Sequence, residues 1–254
     1  MEQTNSKAEA LLEQGMDYIE NDDVDRGLPY LKQAAELGHL EAQAMYLSTL
    51  LELSEDSDKD YTKEIKKCVE WIRTAAIDGN PEGQAMLGLL YSEGVGVPEN
   101  QETAAKWYRK AAMQGNDGAQ YYLGECYYLG KGVAQNDAEA VKWFQKAAEQ
   151  GNADAQWQLG HCYYFGNGVL KNEQKAASFY QKAANQGHAK AQYLLGNCYQ
   201  FGCGVKKDFR KAIEWYKKSI DNGYDELDVY DSISFAFLNI IWKMRENGTN
   251  FQKV

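Results

Sequence analysis

The stretch GNADAQWQLGHCYYFGNGVLKNEQKAASFYQKAANQ, residues 151–186, decides the fold. The same 36-residue pattern starts at Gly79, Gly115, Gly151 and Gly187, so residues 79–222 are four consecutive copies of one repeat. Self-similarity at a fixed period of about 20–50 residues marks a solenoid, in which each repeat buries its apolar face against its neighbours.

The third to fifteenth positions of each copy read as one helix. Small residues fill the fifth position (Gly83, Ala119, Ala155, Ala191) and glycine the tenth (Gly88, Gly124, Gly160, Gly196). A glycine inside a helix costs about 1 kcal/mol against alanine. A cost repeated at one position implies that another helix backbone passes close by. Leu87, Leu123, Leu159 and Leu195 fill the space beside it, and Tyr91, Tyr127, Tyr163 and Tyr199 follow one turn later. Gly-x-Gly-Val, at 94–97, 130–133, 166–169 and 202–205, supplies the left-handed dihedrals of a helix stop, and its valine returns to the core. A second helix starts near Asn100, Asn136, Asn172 and Asp208, all favourable N-caps. Its aromatic pairs, such as Trp143-Phe144 and Trp215-Tyr216, recur at core spacing, which assigns them to packing rather than to a ligand cage.

Outside these copies, residues 38–78 form a longer repeat with an acidic loop, SEDSDKDYTKE, and residues 1–37 form a degenerate N-terminal pair in which Asp23 caps the second helix. Residues 223–254 close the chain as a cap. Within 225–246, Tyr230, Phe237, Leu238 and Ile241 form one apolar face, and Val229, Ile233, Ala236 and Ile240 form another. A helix apolar on both sides needs two things to pack against. One is the last repeat; the other is the chain's own tail, a partner, or a second copy, the last giving a homodimer through residues 225–246.

The motif A-x-x-x-L-G-x-x-Y-x-x-G-x-G-V, followed by Ala, Trp-Tyr-x-Lys-Ala-Ala and Gly-Asn, resembles the Sel1-like repeat, a family related to tetratricopeptide repeats. The resemblance covers 79–222 and extends to 38–78, while 7–37 lacks the Gly-x-Gly-Val loop. It implies an all-α, right-handed α-solenoid of about six antiparallel helix pairs plus a C-terminal capping helix. It also implies an adaptor that holds other proteins. Some cysteine-rich relatives carry a disulfide in each helix pair and have been linked to β-lactam hydrolysis. This chain lacks the paired cysteines, so those features do not transfer.

Composition narrows the partners. Lys and Arg total 27 against 37 Asp and Glu, a net charge of −10. That excludes the basic footprint nucleic acid or an anionic membrane requires, and no run approaches 18 apolar residues. The N-terminal MEQTNSKAEALLEQ has no basic region followed by an apolar run, the pattern of a secretory signal. Five cysteines, three spaced by 36, read as small core residues in a reducing, cytoplasmic compartment. Cys198-x4-Cys203 lacks a second ligand pair, and the acidic loop lacks spaced calcium ligands, so no metal or cofactor is expected.

Catalytic patterns are missing: there is no G-x-S-x-G, no Ser-x-x-Lys and no strand-borne G-x-G-x-x-G. His39 and His188 occupy the inter-repeat turn position held elsewhere by Asn80, Asn116 and Asn152. His161, with Glu125 one repeat away, is the single candidate acid–base pair.

By analogy with tetratricopeptide geometry, the fourth, seventh, eleventh and fourteenth positions face the concave groove, and their spacing places them on one helical face. From these the candidate partner-binding residues are Tyr121, Glu125, Tyr128, Asp154, Trp157, His161, Tyr164, Lys190, Tyr193 and Asn197. The family motif does not demand the five aromatic residues. They are either interface anchors or rings that stack on one another to line a tight superhelix. The expected function is a non-enzymatic scaffold holding a protein or peptide, in one specific form an inhibitor or immunity protein facing a basic toxin. The alternatives are a hydrolase of the β-lactamase-like kind claimed for the cysteine-rich relatives, and a self-assembling structural protein.

Overall fold

The computed structural model describes residues 2–56, 59–224, 229 and 232–239, and the regular structure of these residues is helical throughout. The helices are α1 (Glu2–Glu20), α2 (Val24–Glu36), α3 (Leu40–Asp56), α4 (Thr62–Ile77), α5 (Pro81–Glu93), α6 (Gln101–Met113), α7 (Asp117–Leu129), α8 (Asp137–Glu149), α9 (Ala153–Phe165), α10 (Glu173–Asn185), α11 (Ala189–Phe201) and α12 (Phe209–Asp221). Residues 232–239 are also helical. Much of the segment 225–246 lies outside the described residues. The chain divides into two compact units, one of residues 1–126 with 131–134, the other of 127–130 with residues from 135 onward.

Within the first unit α1 packs on α2, α2 on α3, α3 on α4, α4 on α5 and α5 on α6. Within the second, α8 packs on α9, α9 on α10, α10 on α11 and α11 on α12. This is the consecutive packing of antiparallel helix pairs that builds an α-solenoid. The helices start where polar side chains can take up orphan N–H groups. Asn100, Asn136, Asn172 and Asp208 cap α6, α8, α10 and α12, and Asp23 caps α2. His39 and His188 prove to be caps as well. Their Nδ1 atoms accept from the Ala42 N–H at 3.4 Å and the Ala191 N–H at 3.1 Å, as the asparagine oxygens do elsewhere.

The two small-residue positions answer different neighbours, which corrects the expectation of a backbone at the repeated glycine. At the fifth position a backbone does pass: a Cβ on Gly83 would lie 3.0 Å from the Ala76 nitrogen. At the tenth position the neighbour is a ring. A Cβ on Gly160 would lie 2.5 Å from the Tyr180 ring, and one on Gly196 would lie 2.4 Å from that of Tyr216.

A glutamine ladder joins successive pairs. Gln43, Gln84, Gln120, Gln156 and Gln192 are buried. Their Nε2 groups donate to Ala35, Ala76, Ala112, Ala148 and Ala184 oxygens, at 3.0–3.2 Å, in the last turn of the preceding helix. Each of these carbonyls also accepts the N–H of the glycine three residues on, at 3.0–3.2 Å, so the glutamine fills the second acceptor position of a terminal helix carbonyl. The C-capping residue 30 positions later donates back to its oxygen: Gln114 to Gln84 at 2.8 Å, Gln186 to Gln156 at 2.9 Å and Asn222 to Gln192 at 3.1 Å. Gln43 is the exception. Its Oε1 is buried without a partner, and the matching C-cap of α4 is Asp78, which has no proton to donate.

Candidate functional site

The second unit brings together eight of the ten residues singled out from sequence. Helix α9 carries Asp154, Trp157, His161 and Tyr164; α11 carries Lys190, Tyr193 and Asn197; Tyr128 sits at the end of α7. Spacings of three and four place each set on one face. Tyr121 and Glu125 belong to the first unit, where the Tyr121 ring meets the edge of Tyr122 at 5.3 Å.

The rings are half-buried and touch one another. Trp157 stacks on His188 at 5.4 Å with an interplanar angle of 23°, and the Lys190 ammonium lies 5.4 Å from its centroid. Tyr193 stacks on Tyr224 at 4.9 Å. His161 lies 6.5 Å from both Tyr128 and Trp157, and 4.5 Å from Phe165. The stacking expected of a tight lining is therefore present, but it does not hide these residues in the core.

The polar groups of this face differ in how well they are satisfied. His188 has both nitrogens engaged: Nδ1 accepts from Ala191, so Nε2 carries the proton and faces Asp154 Oδ1 at 3.1 Å. That hydrogen bond is the main cause holding the Asp154 carboxyl below its usual range. The Tyr128 hydroxyl accepts from Asn167 at 2.9 Å. The Tyr216 hydroxyl is shared between Asn197 Oδ1 at 2.7 Å and Gln200 Oε1 at 3.1 Å. By contrast, Trp157 Nε1 and His161 Nδ1 are buried with no hydrogen-bond partner. Burial pushes the His161 pKa down, so its ring is neutral at pH 7.

Between α9 and α11 opens a pocket of about 410 Å³. Its lining combines expected residues, among them His161, Tyr164 and Asn197, with Phe165, Phe201 and Cys203, which sequence spacing does not mark. The signal for the phenylalanines lay in the fifteenth position. It is Glu93 in the first copy and Leu129, Phe165 and Phe201 in the next three, all three of which are exposed. Cys68, Cys126, Cys162 and Cys198 are buried free thiols. Desolvation pushes them up to about 12, 11, 12 and 12. Cys203, also free, is the partly exposed one. Among the described residues no group of three or more His, Cys, Asp or Glu is placed to hold a metal ion. No described helix is long and apolar enough to cross a membrane.

The Sel1 repeat family profile matches residues 81–116, 118–152, 153–188 and 189–224, more than half of the chain. The chain belongs to the Sel1 repeat family. A plant tetratricopeptide repeat profile matches residues 3–78. No functionally curated protein matches this Sel1 repeat chain. Among solved structures it is similar to a Sel1 repeat protein from Oxalobacter formigenes, with 31% identity, TM-score 0.73, and 90% of this chain and 66% of that one covered. It is also similar to a protective antigen of uropathogenic Escherichia coli displaying the same repeat fold, with 30% identity, TM-score 0.69, and 99% and 53% covered. The chain thus spans about half to two thirds of the length of these relatives. An immunity protein from Pseudomonas aeruginosa shares the fold at 22% identity and TM-score 0.60, over 85% of this chain and 81% of that one. The Sel1 repeat is a protein-interaction fold and is generally not enzymatic.

Proposed function

We propose that this Sel1 repeat protein is a non-enzymatic scaffold that holds a protein or peptide partner on the α9–α11 face of its second unit. The observation that carries this reading is the pair of buried, unpartnered polar atoms, Trp157 Nε1 and His161 Nδ1, on a face of half-exposed rings. Leaving such a group unpaired costs about 1–3 kcal/mol; both atoms are shielded from solvent, so a partner supplies the missing hydrogen bonds by shifting the rings that cover them. Rings with polar tips flanked by charges match the composition of interface hot spots. The net charge of −10 favours a basic partner and speeds its encounter, and disfavours nucleic acid and anionic membrane. Inhibition of a basic toxin is the finer form of this reading; free thiols suit a reducing cytoplasm.

The hydrolase alternative has less support. A general base needs an orienting hydrogen bond on its second nitrogen, and His161 Nδ1 has none. Self-association has one observation in its favour: Phe237 and Leu238 are exposed, while Val229 and Ala236 on the opposite face are buried.

The test is partner capture from native extract, read by mass spectrometry, with a Trp157→Ala/Tyr164→Ala variant. Capture should be lost with helicity kept. Trp143→Ala, which removes a comparable half-buried ring from the second-helix face, should keep capture. Retained capture in the double variant, or equal loss in the control, defeats the proposal.

A further inference from the structure

The α9–α11 pocket has a chemistry narrower than a general interaction face. Among the described residues its lining holds no Asp, Glu, Lys or Arg, and burial keeps His161 neutral at pH 7. Lys171 and Glu173 stand beside Tyr164 but are paired with each other at 3.0 Å, so a charged side chain entering the pocket loses its hydration for counter-charges that are already neutralised. Its rim is aromatic: Phe165 and Phe201, one repeat apart, are each 58% exposed although large and apolar. Phe201 leans toward Phe235 with ring centroids 6.5 Å apart, and Phe165 is met edge-on by Tyr164 at 4.9 Å. The fully buried Tyr180 lies beneath. A further ring placed among these would make the tilted and edge-on pairs that add to plain burial.

The polar groups have a direction. The carbonyl oxygens of Asn197 and Gln200 both lie against the Tyr216 hydroxyl. The hydroxyl has one proton and Asn197 holds the shorter contact; the NH₂ end of Asn197, the less buried of the two, is what remains to bind an incoming group, and NH₂ can only donate. The matching guest therefore carries a hydrogen-bond acceptor beside its ring, as the carbonyl of a peptide group does. A volume of about 410 Å³ falls at the small end of the range of ligand sites, enough for one aromatic side chain and its adjoining peptide unit.

We infer that this pocket is the anchor site for a neutral aromatic side chain presented by the protein partner, with Phe165 and Phe201 as its walls and the Asn197 amide as donor to the anchor's main-chain carbonyl. The inference rests on the scaffold reading for its source of ligand, but the pocket chemistry can be tested without a partner.

Cys203 lines the pocket and is partly exposed, whereas the other four thiols are buried, so it serves as a native reporter. The rate at which iodoacetamide labels Cys203, followed by peptide mass spectrometry, would be measured with N-acetyl-phenylalaninamide, N-acetyl-tryptophanamide, N-acetyl-lysinamide or N-acetyl-aspartamide as probes. The aromatic amides should slow labelling at least threefold near their solubility limits, and the charged ones should not. In the Phe165→Ala/Phe201→Ala variant, whose lost rings are exposed, protection should disappear while the melting temperature stays within a few degrees. Absence of protection by the aromatic probes, equal protection by the lysine probe, or protection surviving in the variant overturns the inference. If the Trp157→Ala/Tyr164→Ala variant loses the partner and Phe165→Ala/Phe201→Ala keeps it, the scaffold reading stands and the anchor falls. Aromatic protection with no partner captured by the native chain would leave the pocket in place and refute the scaffold.

Discussion

Replacing Asp78 by Gln should stabilise the first unit by about 1–2 kcal/mol, although it adds no apolar contact. The magnitude follows from the glutamine ladder. At three other C-caps a side-chain amide donates to a buried glutamine oxygen at 2.8–3.1 Å, whereas Gln43 Oε1 has no donor. Asp78 holds the same right-handed backbone as Gln114, with φ −69° and ψ −1° against −87° and −1°, so a glutamine there starts from the same place. One such hydrogen bond contributes about 0.5–1.5 kcal/mol net. Removing a carboxylate from a helix C-terminus adds about 0.3 kcal/mol, the low end because Asp78 is exposed and screened. Asp78→Ala separates the two effects, since it removes the charge without adding a donor. Repeat proteins need not unfold in one step, so the direct assay is native-state hydrogen exchange of α3 and α4 amides. Opening in Asp78→Gln should be about fivefold rarer than in Asp78→Ala, the factor that about 1 kcal/mol represents. In a Gln43→Met background the two should coincide. Equal protection in the two single variants would refute the proposed bond.

The glycines should divide by what they face. Gly160→Ala drives a Cβ to 2.5 Å from the enclosed Tyr180 ring and should destabilise by about 1–3 kcal/mol, whereas Gly118→Ala meets only Asn116 Oδ1 at 3.5 Å and should stabilise by about 0.5 kcal/mol; parallel thermal melts compare them. The Asp154 carboxylate, whose pKa the His188 hydrogen bond lowers from 3.8, contributes stability that is present above that unfolded value and is lost as pH falls through the folded one. Asp154→Ala should therefore trail the native chain by a few tenths of a kcal/mol at pH 7, given the exposure of the carboxylate, and urea unfolding in a pH series should show the gap closing below pH 3.8.

What the sequence makes legible here is whatever the backbone demands locally. The third to fifteenth positions predict helices at 81–93, 117–129, 153–165 and 189–201, and α5, α7, α9 and α11 occupy those residues. Their caps are legible for the same reason: an orphan N–H is answered by a side chain two or three residues away. Other features depend on partners distant in sequence. A recurring glycine announces a close neighbour but not its nature, and at Gly160 and Gly196 it is a tyrosine ring rather than a backbone. Gln156 looks like any polar helix residue until its carbonyl partner eight residues back and its donor 30 residues on are in view. Phe165 and Phe201 read as the closing residues of a helix, and only the placement of the neighbouring pair leaves them exposed.

The division between frame and site follows from which positions the repeat needs. Caps, glutamine ladder, tenth-position glycine and Gly-x-Gly turn meet the backbone and packing demands of each copy, and they recur with little change. The fourth, seventh and eleventh positions are free of those demands and do change: Gly118, Asp154 and Lys190; Tyr121, Trp157 and Tyr193; Glu125, His161 and Asn197. Against this background the unpaired polar atoms have different origins. The Gln43 orphan comes from a single substitution in the frame, at Asp78, and a single change can remove it. Trp157 Nε1 and His161 Nδ1 lie instead at positions where the repeat tolerates Ala85 and Leu89, so an apolar residue would avoid the cost altogether. On the scaffold reading proposed above, the unpaired nitrogens at these two replaceable positions of one face are kept for a group that arrives from outside the chain.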